Sequence, residues 1–165
     1  MSSPAPGPSS DTLGAILERD HHRIDEHFAR FAASLAEGPV DVEALGAGAA
    51  GLRHHIYVEE EHHFPPLQRA GLVGPIMVML REHGQLWDLL DALESRVREQ
   101  ADPETINVTW QDLEHRLADH NRKEEQILYP AGDDVLDAEV TADVLDELRS
   151  GDTPPGWVCR MAGLG

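Results

Sequence analysis

The stretch "HHIYVEEEHHFPP" (residues 54–66) places four histidines and three glutamates in thirteen positions, and "DHNRKEEQILYP" (119–130) repeats part of its pattern. Side by side, His55 aligns with His120, Glu59 with Glu124, Glu60 with Glu125 and Pro65 with Pro130, an offset of 65 residues. A second pair of stretches does the same at an offset of 62: "RDHHRIDEHFARF" (19–31) on "REHGQLWDLLDAL" (81–93) sets His21 on His83, Ile24 on Leu86 and Phe28 on Leu90. Offsets this close describe a duplicated helical hairpin. They also select one histidine from each HH pair, His21 over His22 and His55 over His54.

Working outward, the repeat units sit in helix-period patterns. Asp11-Thr12 offers an N-cap to a stripe of Leu13, Ile16, Leu17, Ile24, Phe28, Phe31 and Leu35, stopped by "EGPVD" (37–41). A second helix is predicted over about 42–69. Gly46, Gly48 and Gly51 near its start each cost roughly 1 kcal/mol relative to alanine, or else allow a close helix approach. A third runs from Pro75 to about residue 100 with Met79, Leu80, Leu86, Leu90, Leu93 and Val97 inward. A fourth covers about 104–129, its stripe being Ile106, Trp110, Leu113, Leu117, Ile127 and Leu128. No strand alternation is visible. The fold expected is all-α, an up-down-up-down four-helix bundle with a short C-terminal helix over about 138–149 and a tail. Residues 1–10 read as a disordered tail, 11–132 as the bundle, and 133–165 as the short helix plus a Gly/Pro-rich tail.

At 3.6 residues per turn, positions i and i+4 lie roughly 40° apart on one helix face. His55-x3-Glu59 and His120-x3-Glu124 therefore each aim an imidazole and a carboxylate at one point, and His21 and His83 face them from the other two helices. Two unpaired buried carboxylates are strongly unfavourable. Two divalent metals, each with two histidines and sharing the carboxylates, resolve that cost. Mixed N/O ligation without thiolate suits non-haem iron best, and Mn or Zn fit as well.

Asp25, one turn after His21, is a candidate seventh ligand or hydrogen-bond acceptor. His62 and His63 are candidate extra ligands or proton shuttles, against the plainer reading of helix-end histidines. Glu60 and Glu125 read as exposed, or as acceptors for a ligand histidine. Tyr57 points away from His55, Trp87 and Trp110 read as core, and Cys159 as structural unless the tail folds over the site.

Bulk properties narrow the classes further. The 165 residues carry 13 Lys+Arg against 31 Asp+Glu, a formal net charge of −18. Such a surface repels phosphate backbones and argues against nucleic acid. One cysteine excludes an intrachain disulfide framework and Cys-rich metal sites. The run "LVGPIMVML" (72–80) is far too short for a membrane span, and "MSSPAPGPSS" lacks the features of a signal peptide, so a cytoplasmic location is expected.

The order of a lone His, a His-x3-Glu, a lone His and a second His-x3-Glu resembles the hemerythrin-like (HHE cation-binding) domain family over roughly residues 12–132. "EEQILYP" keeps the family's closing pattern, whereas "EEEHHFP" has His62 and His63 where the other half has Ile127 and Leu128. The resemblance implies a four-helix bundle with a non-haem di-iron centre, two irons per chain bridged by oxo or hydroxo oxygen. The ligands carried over are His21, His55, Glu59, His83, His120 and Glu124. Oxygen-carrying members have a further histidine one turn along the third helix, where this chain has Trp87. The expected function is therefore binding of, or reaction with, a small oxidant or dissolved gas (O2, peroxide or NO), ahead of reversible oxygen transport. The alternative is an iron-binding sensor or storage module without turnover.

Overall fold

The computed structural model describes residues 11–164; the predicted tail over residues 1–10 lies outside them. Among the described residues there is no strand. The helices are α1 (Leu13–Glu37), α2 (Val42–Val58), α3 (Phe64–Arg69), α4 (Val73–Arg98), α5 (Pro103–Lys123), α6 (Tyr129–Val135) and α7 (Ala138–Ser150). α2 passes into α3, and α5 into α6, through single π-helical turns at Glu59–His63 and Glu124–Leu128.

Local chemistry explains the ends. Thr12 accepts the Ala15 N–H at 3.1 Å, and Asp41, Asp102 and Asp137 cap α2, α5 and α7 in the same way. Pro103 occupies the first turn of α5, where a missing N–H costs nothing. α4 begins at Val73, two residues before the predicted start at Pro75. A first turn tolerates proline because its N–H groups have no intrahelical partner.

α1 packs along α2, α4 along α5, and α1 also meets α5. The main core lies between them, with Phe28, Phe31, Leu52, Leu86, Leu90, Trp110 and Leu113 at its centre. The sequence stripes enter this core or two flanking clusters, one with Leu13 and Leu17 and one with Met79, Leu80 and Leu128, while Ile16, Leu35 and Val97 are half-buried. One residue is a correction: Ile127 is 62% exposed. The π turn is the reason. An i→i+5 turn holds more residues than an α turn, so the inward phase slips and Leu128, rather than Ile127, points in.

The small residues of α2 do permit a close approach. A Cβ on Gly48 would lie 2.8 Å from the Phe28 ring, so the two helices meet there with Phe28 seated on bare backbone. Gly46 has open space around it and plays no such part. No helix among the described residues is long and apolar enough to cross a membrane.

Candidate metal centre

Above the apolar core, the bundle encloses His21 (α1), His55 (α2), Glu59 (first π turn), His83 (α4), His120 (α5) and Glu124 (second π turn), all buried. Their donor atoms form two overlapping groups, each spanning no more than 4.8 Å: Glu59, His83, His120 and Glu124 in one, His21, His55 and Glu124 in the other. Glu124 Oε1 lies 3.3 Å from His21 Nε2 and 3.0 Å from His120 Nε2. Glu59 Oε1 lies 3.4 Å from His55 Nε2 and 3.3 Å from His83 Nε2. Each carboxylate thus stands between two histidines from different helices.

Proximity is not pairing here. Glu59 Oε1, both Glu124 oxygens and His83 Nε2 are buried without a hydrogen-bond partner. Leaving one such group unsatisfied costs about 1–3 kcal/mol, more when it is charged. Lone pairs that face a shared space rather than each other are what a cation-binding pocket requires, so these residues fit one.

The outer faces of the histidines are held by carboxylates. Asp20 takes His55 Nδ1 at 2.8 Å, Glu60 takes His83 Nδ1 at 2.8 Å, and Glu82 takes His120 Nδ1 at 2.9 Å. Glu125 stands 3.6 Å from His21 Nδ1, beyond hydrogen-bond range. An ionised carboxylate can only accept, so Nδ1 carries the hydrogen and Nε2 is left facing inward. The duplication extends to this layer. The acid before each lone histidine (Asp20, Glu82) serves the next helix, and the acid after each clamp glutamate (Glu60, Glu125) faces the other half's lone histidine.

Asp20 and Glu82 were not singled out by sequence reasoning. Their signal was present in the alignment, as an acid immediately before the histidine in both "RDHH" and "REHG". Tyr129 was missed as well. Its buried hydroxyl donates to Glu59 Oε2 at 2.9 Å and lies 3.1 Å from both His21 Nε2 and His55 Nε2. The duplicate position is Phe64, whose ring stacks on His83 at 5.4 Å. One half of the site therefore has a phenol where the other has only hydrocarbon.

The three additional candidates stand outside both donor groups. Asp25 is exposed on α1. His62 is half-buried, 3.3 Å from the Tyr57 hydroxyl. His63 is buried with its ring 5.9 Å from Tyr129, and burial holds its pKa below the ordinary value. Trp87 is core, with the Arg53 guanidinium 5.3 Å from its ring centre.

Electrostatics at the centre are dominated by burial against close opposite charge. Burial disfavours the imidazolium of His120, but Glu124 and Glu82 outweigh it and raise the pKa to about 10. His55 is likewise raised well above its ordinary range by Glu59 and Asp20 despite burial. Burial would raise the Glu59 carboxyl, yet His55 and His83 hold it well below the usual range. The metal-free pocket is thus a proton-binding pocket, and a cation entering it displaces protons.

Two consequences follow with defined signs. His120 is raised above its ordinary 6.5, so its contribution to metal-free stability is complete below pH 6.5 and is lost as pH rises through about 10. Thermal midpoints of the metal-free chain should fall from pH 7 to 10, while metal affinity measured by chelator competition rises over the same interval. Heats of metal binding at pH 7.5 should depend on the buffer's ionisation enthalpy, with at least one proton released.

A buried cluster of histidines and carboxylates in a helical bundle defines a cation-binding helical domain. The family model for the hemerythrin HHE cation binding domain matches residues 12–132, and the chain belongs to that family. No curated protein and no solved structure matches it.

Proposed function

We propose that this chain holds a dinuclear non-haem iron centre, with two irons per chain, and binds or reacts with a small oxidant (O2, peroxide or NO). His21 and His55 would hold one iron and His83 and His120 the other, with Glu59 and Glu124 supplying carboxylate oxygens. The four long helices run up-down-up-down to bring those residues together. The observation that carries this reading is the pair of buried carboxylates, each placed between two inward Nε2 atoms and each with unsatisfied oxygens. Nitrogen and oxygen donors without thiolate favour iron, and manganese or zinc would satisfy the same donors.

Bound iron would supply electrons and open coordination positions for a small ligand. The protein's own residues do the rest. Asp20, Glu60 and Glu82 fix the histidine tautomer through Nδ1, and the apolar core below excludes water. The Tyr129 hydroxyl stands beside His21 and His55 with its hydrogen held on Glu59 Oε2. Trp87 stands where carriers of the resembled family have another histidine, which favours oxidant chemistry over reversible carriage. With an acidic surface and no membrane-crossing helix among the described residues, the working place proposed is the cytoplasm.

The test is anaerobic loading with ferrous iron followed by rapid mixing with peroxide, NO or oxygen. Consumption of at least one of these, with a change in the iron's visible absorption, is expected. An iron-loaded chain that reacts with none would overturn the oxidant reading and leave the iron-sensing or storage module.

A further inference from the structure

The chain beyond the matched family region folds back onto the centre. After α7, residues 151–164 run across α2 and α4. Trp157 Nε1 donates to Glu61 at 3.1 Å, and its ring meets the edges of Trp87 and Tyr57. Cys159 is buried in the main core, and the Gly163 N–H donates to Asp88 at 2.8 Å. Gly84, one residue after His83, allows this approach: a Cβ there would overlap the Met161 carbonyl oxygen. Between these anchors, the Arg160 backbone N–H donates to Glu60 Oε1 at 2.9 Å, while Glu60 Oε2 holds His83 Nδ1 at 2.8 Å.

We propose that this C-terminal strap is a positioning element for one of the two metal positions: the Arg160 N–H fixes Glu60, and Glu60 fixes His83. The equivalent relay in the other half is slack. Glu125 is 21% exposed and 3.6 Å from His21 Nδ1, which has no hydrogen-bond partner, and among the described residues no backbone N–H donates to Glu125. The six metal-facing residues and their outer acids are duplicated in sequence, and the strap makes the two His–Glu relays unequal. Strap and family domain then act as one unit in metal binding. The inference rests on the dinuclear reading above.

Arg160 offers a narrow test because it follows Cys159 in a turn closed by the Ala162 N–H on the Cys159 carbonyl at 3.2 Å. That second turn position favours proline, which lacks the N–H. Full-length wild type, Arg160→Pro, Arg160→Ala and Gly84→Ala are titrated anaerobically with ferrous iron against a competing chelator, giving two stepwise constants. Metal-free thermal midpoints are recorded alongside. Arg160→Pro and Gly84→Ala should weaken one constant by up to about 10-fold and leave the other nearly unchanged, the low end of the range for losing a ligand's own hydrogen-bond partner, since Glu60 itself is retained. Arg160→Ala, which keeps the N–H, should match wild type.

Wild-type binding of two irons with Arg160→Pro indistinguishable from it would overturn the strap's role alone. Equal weakening of both constants, following a fall in the metal-free midpoint, would also overturn it, since that is mere loss of stability. A wild-type chain that binds no iron would instead overturn the dinuclear reading itself.

Discussion

Glu124→Ala should weaken metal binding at both positions, where His83→Ala should weaken it at one. Glu124 alone belongs to both donor groups, its Oε1 lying between His21 Nε2 and His120 Nε2. Removing it takes a carboxylate from both positions at once and leaves Glu59 as the one carboxylate facing the four histidines. His83 touches only the group with Glu59 and His120, so the His21/His55 half survives its loss. Occupancy at 100 times Kd stabilises a protein by about 2.7 kcal/mol per site. At about 2–4 °C per kcal/mol for a chain of this size, wild type with both sites filled should gain roughly 10–20 °C on loading. Glu124→Ala should gain far less, and differential scanning calorimetry with and without ferrous iron separates the two. A normal gain in Glu124→Ala would remove the residue from the site.

The second large effect concerns the scaffold. Phe28→Ala should cost about 3–5 kcal/mol, the range for truncating a fully buried aromatic. Phe28 is buried at the α1–α2 crossing, seated on Gly48 and 5.4 Å from the Trp110 ring. Its removal leaves a cavity that neighbouring backbone cannot fill, because Gly48 has no side chain to move inward. Chemical denaturation of the metal-free protein gives the number directly. A cost under about 1 kcal/mol would mean that the α1–α2 interface rearranges, contrary to the packing described. The effect should be the same with metal bound, since the ring lies in the apolar core rather than among the metal-facing groups.

Much of this arrangement was legible in the sequence because it depends on periodicity. Leu13, Leu17, Ile24, Phe28 and Phe31 turn inward at helical spacing, and the two His-x3-Glu clamps follow from the same geometry. The duplication chose His21 and His55 from their HH pairs, and both lie in the cluster. Features that depend on a neighbouring element were not legible. Asp20 leaves α1 about 100° from His21 and meets α2, so its role appears only once the two helices are packed. The π turns arise where each clamp glutamate faces the centre, and no local residue preference announces them. They are also why Ile127 turned out exposed. The strap lacks any period at all; its Gly- and Pro-rich chain is held by single long-range hydrogen bonds, such as Arg160 N–H to Glu60 across 100 residues.

The donor set makes one demand that can be measured without knowing the physiological ligand. Two carboxylates and four inward nitrogens, two of the histidines holding protons well above their ordinary range, predict a centre that takes up two cations. Elemental analysis of the purified chain after expression in iron-supplemented medium counts iron, zinc and manganese per polypeptide. A total near two, mainly iron, is the result predicted here. A folded, helical chain carrying close to none, even after anaerobic loading, would contradict the account.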